Sequence, residues 1–159
     1  ASQMALHLLG ESRAELADEL PRLTDFLKDH QPSLTVHVEN RFLSDIELEL
    51  ALQRSHVVLA PYQRTEGSSG VIGHAAKHQC PVIGPHTGLI GSLIDEYDLG
   101  LMADTTKPDA LCRALQQCLY RADEISNTKG MRRYVGERSP KTFAETIVSS
   151  LPKSTAQDE

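Results

Sequence analysis

Tyr62-Gln63-Arg64-Thr65-Glu66-Gly67-Ser68-Ser69-Gly70 brings a carboxylate, a guanidinium, hydroxyls and glycines together just before a segment with helical periodicity. Glycine lets a ligand approach the backbone closely. The free N–H groups and the positive end of a helix start favour a phosphate. A diphosphate fits such a turn, and the Glu66 carboxylate beside it suits sugar hydroxyls. Arg64 either clamps a phosphate or pairs with an acid at the loop surface, and the residues alone leave both open. Equally open is a plainer reading, in which the turn is simply capped and Gly67, Gly70 and Gly73, spaced by three, allow close helix packing.

Other chemistries fit less well. His74 and His78 lie four apart, on one helical face, and Cys80 follows, but no third and fourth metal ligand accompanies them. A serine-hydrolase elbow centred on Ser69 would need glycine where Val71 stands. Neither the Gly-x4-Gly-Lys-Ser/Thr phosphate loop nor the Gly-x-Gly-x-x-Gly fingerprint occurs. His7, His37 and His56 fall in strand-like segments and read as structural. Asp45, Glu47 and Glu49, spaced by two, read as a solvated helix face. Cys80, Cys112 and Cys118 make an odd count without paired metal spacing, so they read as reduced, partly buried thiols.

The elements that would position the loop alternate along the chain. Ala5 to Leu9 reads as a strand ending at Gly10. Leu16, Leu20, Leu23 and Leu27 then mark an amphipathic helix, with Ser12 and Glu15 as a capping box and Pro21 as a kink or restart. Leu34 to Val38 is the next strand, and Ser44 with Glu47 caps a helix to Gln53. His56 to Ala60 holds Val57, Val58 and Leu59 in succession, which suits a parallel strand covered on both faces. A helix from Ser69 to His78, a strand from Pro81 to Gly84, a helix from Leu89 to Tyr97 and a strand from Leu99 to Met102 follow. Helices over Lys107 to Tyr120 and Ser139 to Leu151 close the series, the last with a serine N-cap and a first-turn proline. Strands alternating with helices predict an α/β, Rossmann-like three-layer parallel sheet with right-handed crossovers. Ligands of such a sheet bind beyond the carboxyl ends of its strands.

The chain has 159 residues, 40% hydrophobic and 24% charged, with a formal charge of -6. It is long enough for one compact domain and too short for two full ones. The negative charge and the lack of clustered Lys and Arg exclude a nucleic-acid surface. No apolar run approaches the roughly 20 residues of a membrane span, and the start lacks a signal-peptide pattern. The expected location is the cytoplasm. Residues 1–151 are expected to form the domain and 152–159 a disordered tail.

Taken in order, Leu6 to Gly10, Arg41-Phe42-Leu43-Ser44-Asp45, Ser55 to Pro61, Glu66-Gly67-Ser68-Ser69-Gly70, Cys80-Pro81-Val82-Ile83-Gly84, Gly100-Leu101, Ser139-Pro140 and Phe143-Ala144 form a spaced series. This series, from about Ala5 to Leu151, resembles the family-four (group 1) retaining glycosyltransferases of the GT-B fold, in their carboxyl-terminal half. The resemblance implies binding of a nucleoside-diphosphate sugar as donor substrate, with no tightly bound cofactor or metal. It makes Glu66 the catalytic acid that contacts donor-sugar hydroxyls. It gives Gly67, Ser68, Ser69 and Gly70 the diphosphate, Phe42 and Leu43 the nucleobase side, and Arg64 a place beside the phosphates. His74 stands where the second acid of the family's E-x7-E motif would hold the ribose. An imidazole makes one such hydrogen bond and cannot accept two. The resemblance also implies a first strand–helix unit and an amino-terminal acceptor-binding domain that this chain lacks. Such a chain would be inactive alone, and any contact with the inner membrane would run through that missing domain. Two other functions fit the same fold: a non-catalytic nucleotide-sugar-binding or interaction domain, which His74 favours, and a sugar-nucleotide epimerase, whose acid and histidine set is not found.

Overall fold

The computed structural model describes residues 4–64, 67, 69–125 and 127–151. By its internal contacts the chain divides into two compact units, Ala1–Leu48 and Glu49–Glu159.

In the first unit, β1 (Met4–Leu9) is followed by α1 (Ala14–Ala17), α2 (Glu19–His30) and β2 (Leu34–Glu39). β1 and β2 pair in parallel, from Met4↔Leu34 to Leu9↔Glu39. α2 packs on β2, and the His7 and His37 rings, opposite each other in the register, stack with centroids 4.7 Å apart. β1 ends at Gly10, whose φ of 123° suits glycine and whose amide donates to the Glu39 carbonyl at 3.1 Å. Of the two outcomes expected around Pro21, a kink or a restart, the restart is found. α2 restarts at Glu19 and takes Pro21 into its first turn, where a missing N–H costs no intrahelical bond. Of the expected Ser12–Glu15 capping box the serine half is absent, and the Glu15 side chain lies outside the described residues. Arg13 is the N-cap of α1, the Ser12 amide donates to Asn40 Oδ1 at 2.7 Å, and the Ser12 hydroxyl has no partner among the described residues.

α3 (Asp45–Gln53) leads into the second unit, with β3 (Val58–Leu59), α4 (Gly70–Lys77), β4 (Val82–Pro85), α5 (Gly88–Tyr97) and β5 (Gly100–Ala103). The three strands form a parallel sheet in the order β3-β4-β5, with Val58 opposite Val82 and Val82 opposite Gly100. All four residues of β4 are buried, as a strand covered on both faces must be. One face meets α5: a Cβ on Gly84 would lie 2.6 Å from Ile94 Cδ1. The other meets α6 (Pro108–Tyr120), where Ile83, Ala103, Ala114 and Cys118 form a buried cluster. The unit is therefore helix, sheet, helix.

Beyond α6 come α7 (Ala122–Ile125), α8 (Thr128–Glu137) and α9 (Pro140–Ser150). The first two were not legible in the sequence pattern. Asn127 caps α8, accepting from the Lys129 and Gly130 amides at 3.1 Å, and Met131 is fully buried where α8 meets α4 and α5. Ser139 caps α9 as expected, accepting from the Thr142 amide at 3.1 Å.

Candidate functional site

In the second unit the loops leaving β3, β4 and β5 share the carboxyl edge of the sheet, where a parallel α/β sheet receives its ligands. The loop after β3 is stitched to its neighbours. The Tyr62 hydroxyl bonds the Ser69 hydroxyl at 2.9 Å, and the Thr105 hydroxyl after β5 donates to the Tyr62 carbonyl at 2.9 Å. Since β4 lies between β3 and β5, this second bond passes across the end of β4. After β5 the chain turns at Asp104, whose carboxylate accepts from the Thr106 amide and hydroxyl at 3.1 and 2.6 Å and pairs with Lys107 at 2.8 Å. Those bonds, Lys107 first, hold the Asp104 pKa far below the usual carboxylate range. After β4, His86 reaches sideways, its Nδ1 3.1 Å from the Ala103 carbonyl oxygen.

Ser69 is the N-cap of α4 but gives the helix no side-chain hydrogen bond, because its hydroxyl is engaged with Tyr62. The Ile72 amide donates to the Ser69 carbonyl at 3.2 Å, which leaves the Gly70 and Val71 amides without a partner among the described residues. Gly67 and Gly70 have nothing within 4 Å of an added Cβ, so neither is required for helix packing. Gly73 meets Tyr134 Cε1 at an ordinary 3.9 Å. The packing explanation for the three glycines thus fails at two of them. Arg64 is exposed and pairs with no described acid. Glu66 and Ser68 lie outside the described residues, as does Thr65.

His74 lies inside α4 and is partly buried, with Nδ1 lacking a hydrogen-bond partner among the described residues. One helical turn on, His78 Nε2 stands 4.0 Å from Glu49 Oε1, and Lys77 bonds the same carboxylate oxygen. The Lys77 bond is the main reason the Glu49 pKa is lowered, with smaller electrostatic help from His78 and His74. Cys80, the other member of the weighed metal set, points elsewhere: its thiol donates to the Ser55 carbonyl at 3.4 Å, and burial pushes its pKa up to about 11.

Phe42 and Leu43 belong to the first unit, between β2 and α3. Phe42 is 81% exposed. Arg41 shapes this loop: its Nη1 donates to the Phe42 carbonyl and to Glu47, both at 3.2 Å, and its Nη2 engages Glu39 and Glu47 at 2.7 Å.

An open cavity of about 670 Å³ lies elsewhere, lined by Tyr97, Glu137, Arg138, Ser139, Pro140 and Phe143 among others. Tyr97 ends α5, just before the chain re-enters the sheet at Gly100, so the cavity sits at the amino edge. Tyr97, Glu137 and Arg133 are occupied there with each other: the Tyr97 hydroxyl donates to Glu137 at 2.7 Å and the Arg133 guanidinium covers the Tyr97 ring at 4.5 Å. The polar carboxyl edge is the better candidate.

Comparison with known proteins bears on the family and the fold. The family described as glycosyl transferases group 1 matches residues 1–121. The chain belongs to that family. No curated protein matches it. Among solved structures, Anabaena HepE in complex with UDP is similar at a TM-score of 0.69 and 16% identity, covering 94% of this chain and 42% of the other. Sucrose-phosphate synthase from Thermosynechococcus elongatus is similar at 0.61 and 18%, covering 93% and 39%. These likenesses show the fold. The group 1 chain is an α/β, Rossmann-like half of the GT-B architecture, and it spans 42% and 39% of those two proteins' lengths. No helix among its described residues is long and apolar enough to cross a membrane.

Tyr62, Thr105 and His86 were not singled out by the sequence reading. The available signal was Pro85-His86-Thr87-Gly88, a polar break straight after an apolar strand, which marks a carboxyl-edge loop.

Proposed function

We propose that this chain is the donor-binding domain of a glycosyltransferase that moves a sugar from a nucleoside-diphosphate sugar to an acceptor with retention of configuration. The observation that carries the reading is the start of α4, a family-matched helix whose cap hydroxyl is spent on Tyr62 and whose glycines leave its first turn open. The diphosphate would lie against Gly67 to Gly70, met by N–H dipoles that stabilise the charge on the departing group, with Arg64 as a further cation. Glu66 would contact the sugar hydroxyls. His74 would face the ribose. UDP in the HepE complex supports a nucleotide ligand for this fold.

Transfer also needs an acceptor held against the donor carbon, an orientation effect that can contribute about 7 to 11 kcal/mol. We assign that role to an acceptor-binding domain outside this sequence, so the chain alone has no transferase turnover. A second reading, a nucleotide-sugar-binding domain without chemistry, is favoured by His74 in place of an acid.

Amide-shift mapping with UDP and GDP tests the proposal. The largest shifts are expected in residues 66–70; shifts confined to α6 would refute it. Product assays of the chain with and without its acceptor domain then separate the two readings. Transfer that needs both parts and is lost in Glu66→Ala supports the transferase, and nucleotide binding without transfer in either form supports the binding domain.

A further inference from the structure

His86 is fixed from three sides. Its amide donates to the Ala103 carbonyl at 3.2 Å, and its ring Nδ1 stands 3.1 Å from the same oxygen. Its backbone lies under α5 at Gly91, where an added Cβ would be 2.8 Å from the His86 carbonyl carbon. A carbonyl oxygen cannot donate, so Nδ1 must carry the proton, and the neutral ring then holds its lone pair on Nε2. The residue is exposed at the carboxyl edge of the sheet, beside loops in which three described polar side chains are already engaged. The Tyr62 hydroxyl is bonded to Ser69, that of Thr105 to the Tyr62 carbonyl, and the Asp104 carboxylate to Thr106 and Lys107. Among the described residues His86 Nε2 is an oriented acceptor with no donor.

We propose that His86 Nε2 accepts a hydrogen bond from a hydroxyl of the donor's sugar, making His86 a specificity-determining contact. The proposal rests on the donor-binding reading above. A lone pair suits a hydroxyl, which can donate, and opposes a phosphate oxygen, which cannot, so His86 reads the sugar and not the diphosphate. The rigidity of the residue is what makes the contact selective, since a pre-placed acceptor favours only hydroxyls that meet it.

The test uses two variants with opposite geometry. In His86→Asn the amide nitrogen replaces Nδ1 and keeps the Ala103 bond while the distal acceptor is lost. In His86→Gln the side-chain oxygen reaches the position of Nε2. Calorimetry would compare UDP and GDP, free and as hexose conjugates, on the wild type and both variants, with thermal melts to check folding. The expected result is an unchanged affinity for the free diphosphate, a loss of about two- to tenfold for the sugar conjugate in His86→Asn, and recovery in His86→Gln. Equal effects on free and conjugated nucleotide, or full retention by His86→Asn with loss in His86→Gln, would mean that His86 only holds the loop. Ring-nitrogen shifts in the wild type that place the proton of the neutral ring on Nε2 would overturn the proposal without any variant. Failure of the wild type to bind any of these nucleotides would overturn the donor-binding reading itself, and this contact with it.

Discussion

Ser44 and Glu47 exchange hydrogen bonds across the first turn of α3: the Ser44 amide donates to Glu47 Oε2 at 2.9 Å, and the Glu47 amide to the Ser44 hydroxyl at 3.4 Å. Arg41 then joins the same carboxylate at 2.7 Å. This reciprocal box ties the Phe42–Leu43 loop to a helix start. Ser44→Ala is expected to cost about 0.5 to 2 kcal/mol in chemical denaturation.

The same box carries a pH dependence. The Arg41 bond, followed by those from Ser44, lowers the Glu47 pKa from 4.5 to about 2. A depressed carboxylate pKa contributes stability that is present above the unfolded value and lost as pH falls through the folded one. The difference in stability between the wild type and Glu47→Gln should therefore be constant down to about pH 4.5 and shrink toward pH 2. Asp104, lowered in the same direction, titrates in both proteins and drops out of the comparison. Urea melts across that range check it, and a difference that ignores pH would mean that the charge of Glu47 is not what holds the turn.

Gly130 brings α8 onto the end of α5. A Cβ there would lie 1.8 Å from the Tyr97 carbonyl oxygen, whereas at Gly136, in the same helix, it would meet nothing within 4 Å. Gly130→Ala is expected to destabilise the chain by about 3 kcal/mol or more, because the obstacle is backbone and cannot rotate away. Gly136→Ala should instead be neutral or gain up to about 1 kcal/mol. Similar melts for the two variants would show that α8 does not seat on Tyr97.

That contact also marks where sequence reading stops. The parallel strands were legible because Val57, Val58 and Leu59, or Val82 and Ile83, run without polar interruption. The caps at Ser44 and Ser139 were legible because a hydroxyl three residues from its partner needs no tertiary information. α8 was not: its glycines at 130 and 136 argue against a helix locally, and only Tyr97, distant in sequence, explains the first. The serine half of the box at Ser12 fails for the mirror-image reason, since Asn40, just past the end of β2, captures the amide. At the candidate site, the glycine-rich helix start was visible as a motif. His86, Tyr62 and Thr105 were not, because their roles depend on strand order.

The cysteines offer a test of the core of the second unit. Cys112 is exposed on α6, whereas Cys80 and Cys118 are buried and burial raises both thiol pKa values, that of Cys80 to about 11. At about pH 8, where an ordinary thiol is partly ionised, an alkylating reagent should modify only Cys112 in the folded chain. All three cysteines should react after unfolding. Mass spectrometry reads the sites directly, and early modification of Cys80 would mean that the β3–β4 edge opens readily.

His74→Glu is expected to tighten nucleotide binding and weaken the fold at the same time. The gain follows from the donor-binding proposal. A carboxylate can accept from two ribose hydroxyls where an imidazole makes one bond, and one net hydrogen bond is worth about 0.5 to 1.5 kcal/mol. The cost follows from the neighbours. Position 74 faces the group of charges around Glu49, where the histidine now helps the carboxylate stay ionised. A glutamate there would repel Glu49 and compete with it for Lys77, raising the Glu49 pKa instead of lowering it. The two effects separate cleanly. Titration with UDP at neutral pH should show tighter binding by the glutamate form, while its thermal stability without nucleotide should fall and then recover in part at high salt, as a screened repulsion must. Tighter binding with no loss of stability would remove His74 from the Glu49 group. A loss of stability with unchanged or weaker binding would mean that position 74 serves packing, and would favour the binding domain that has given up the ribose contact.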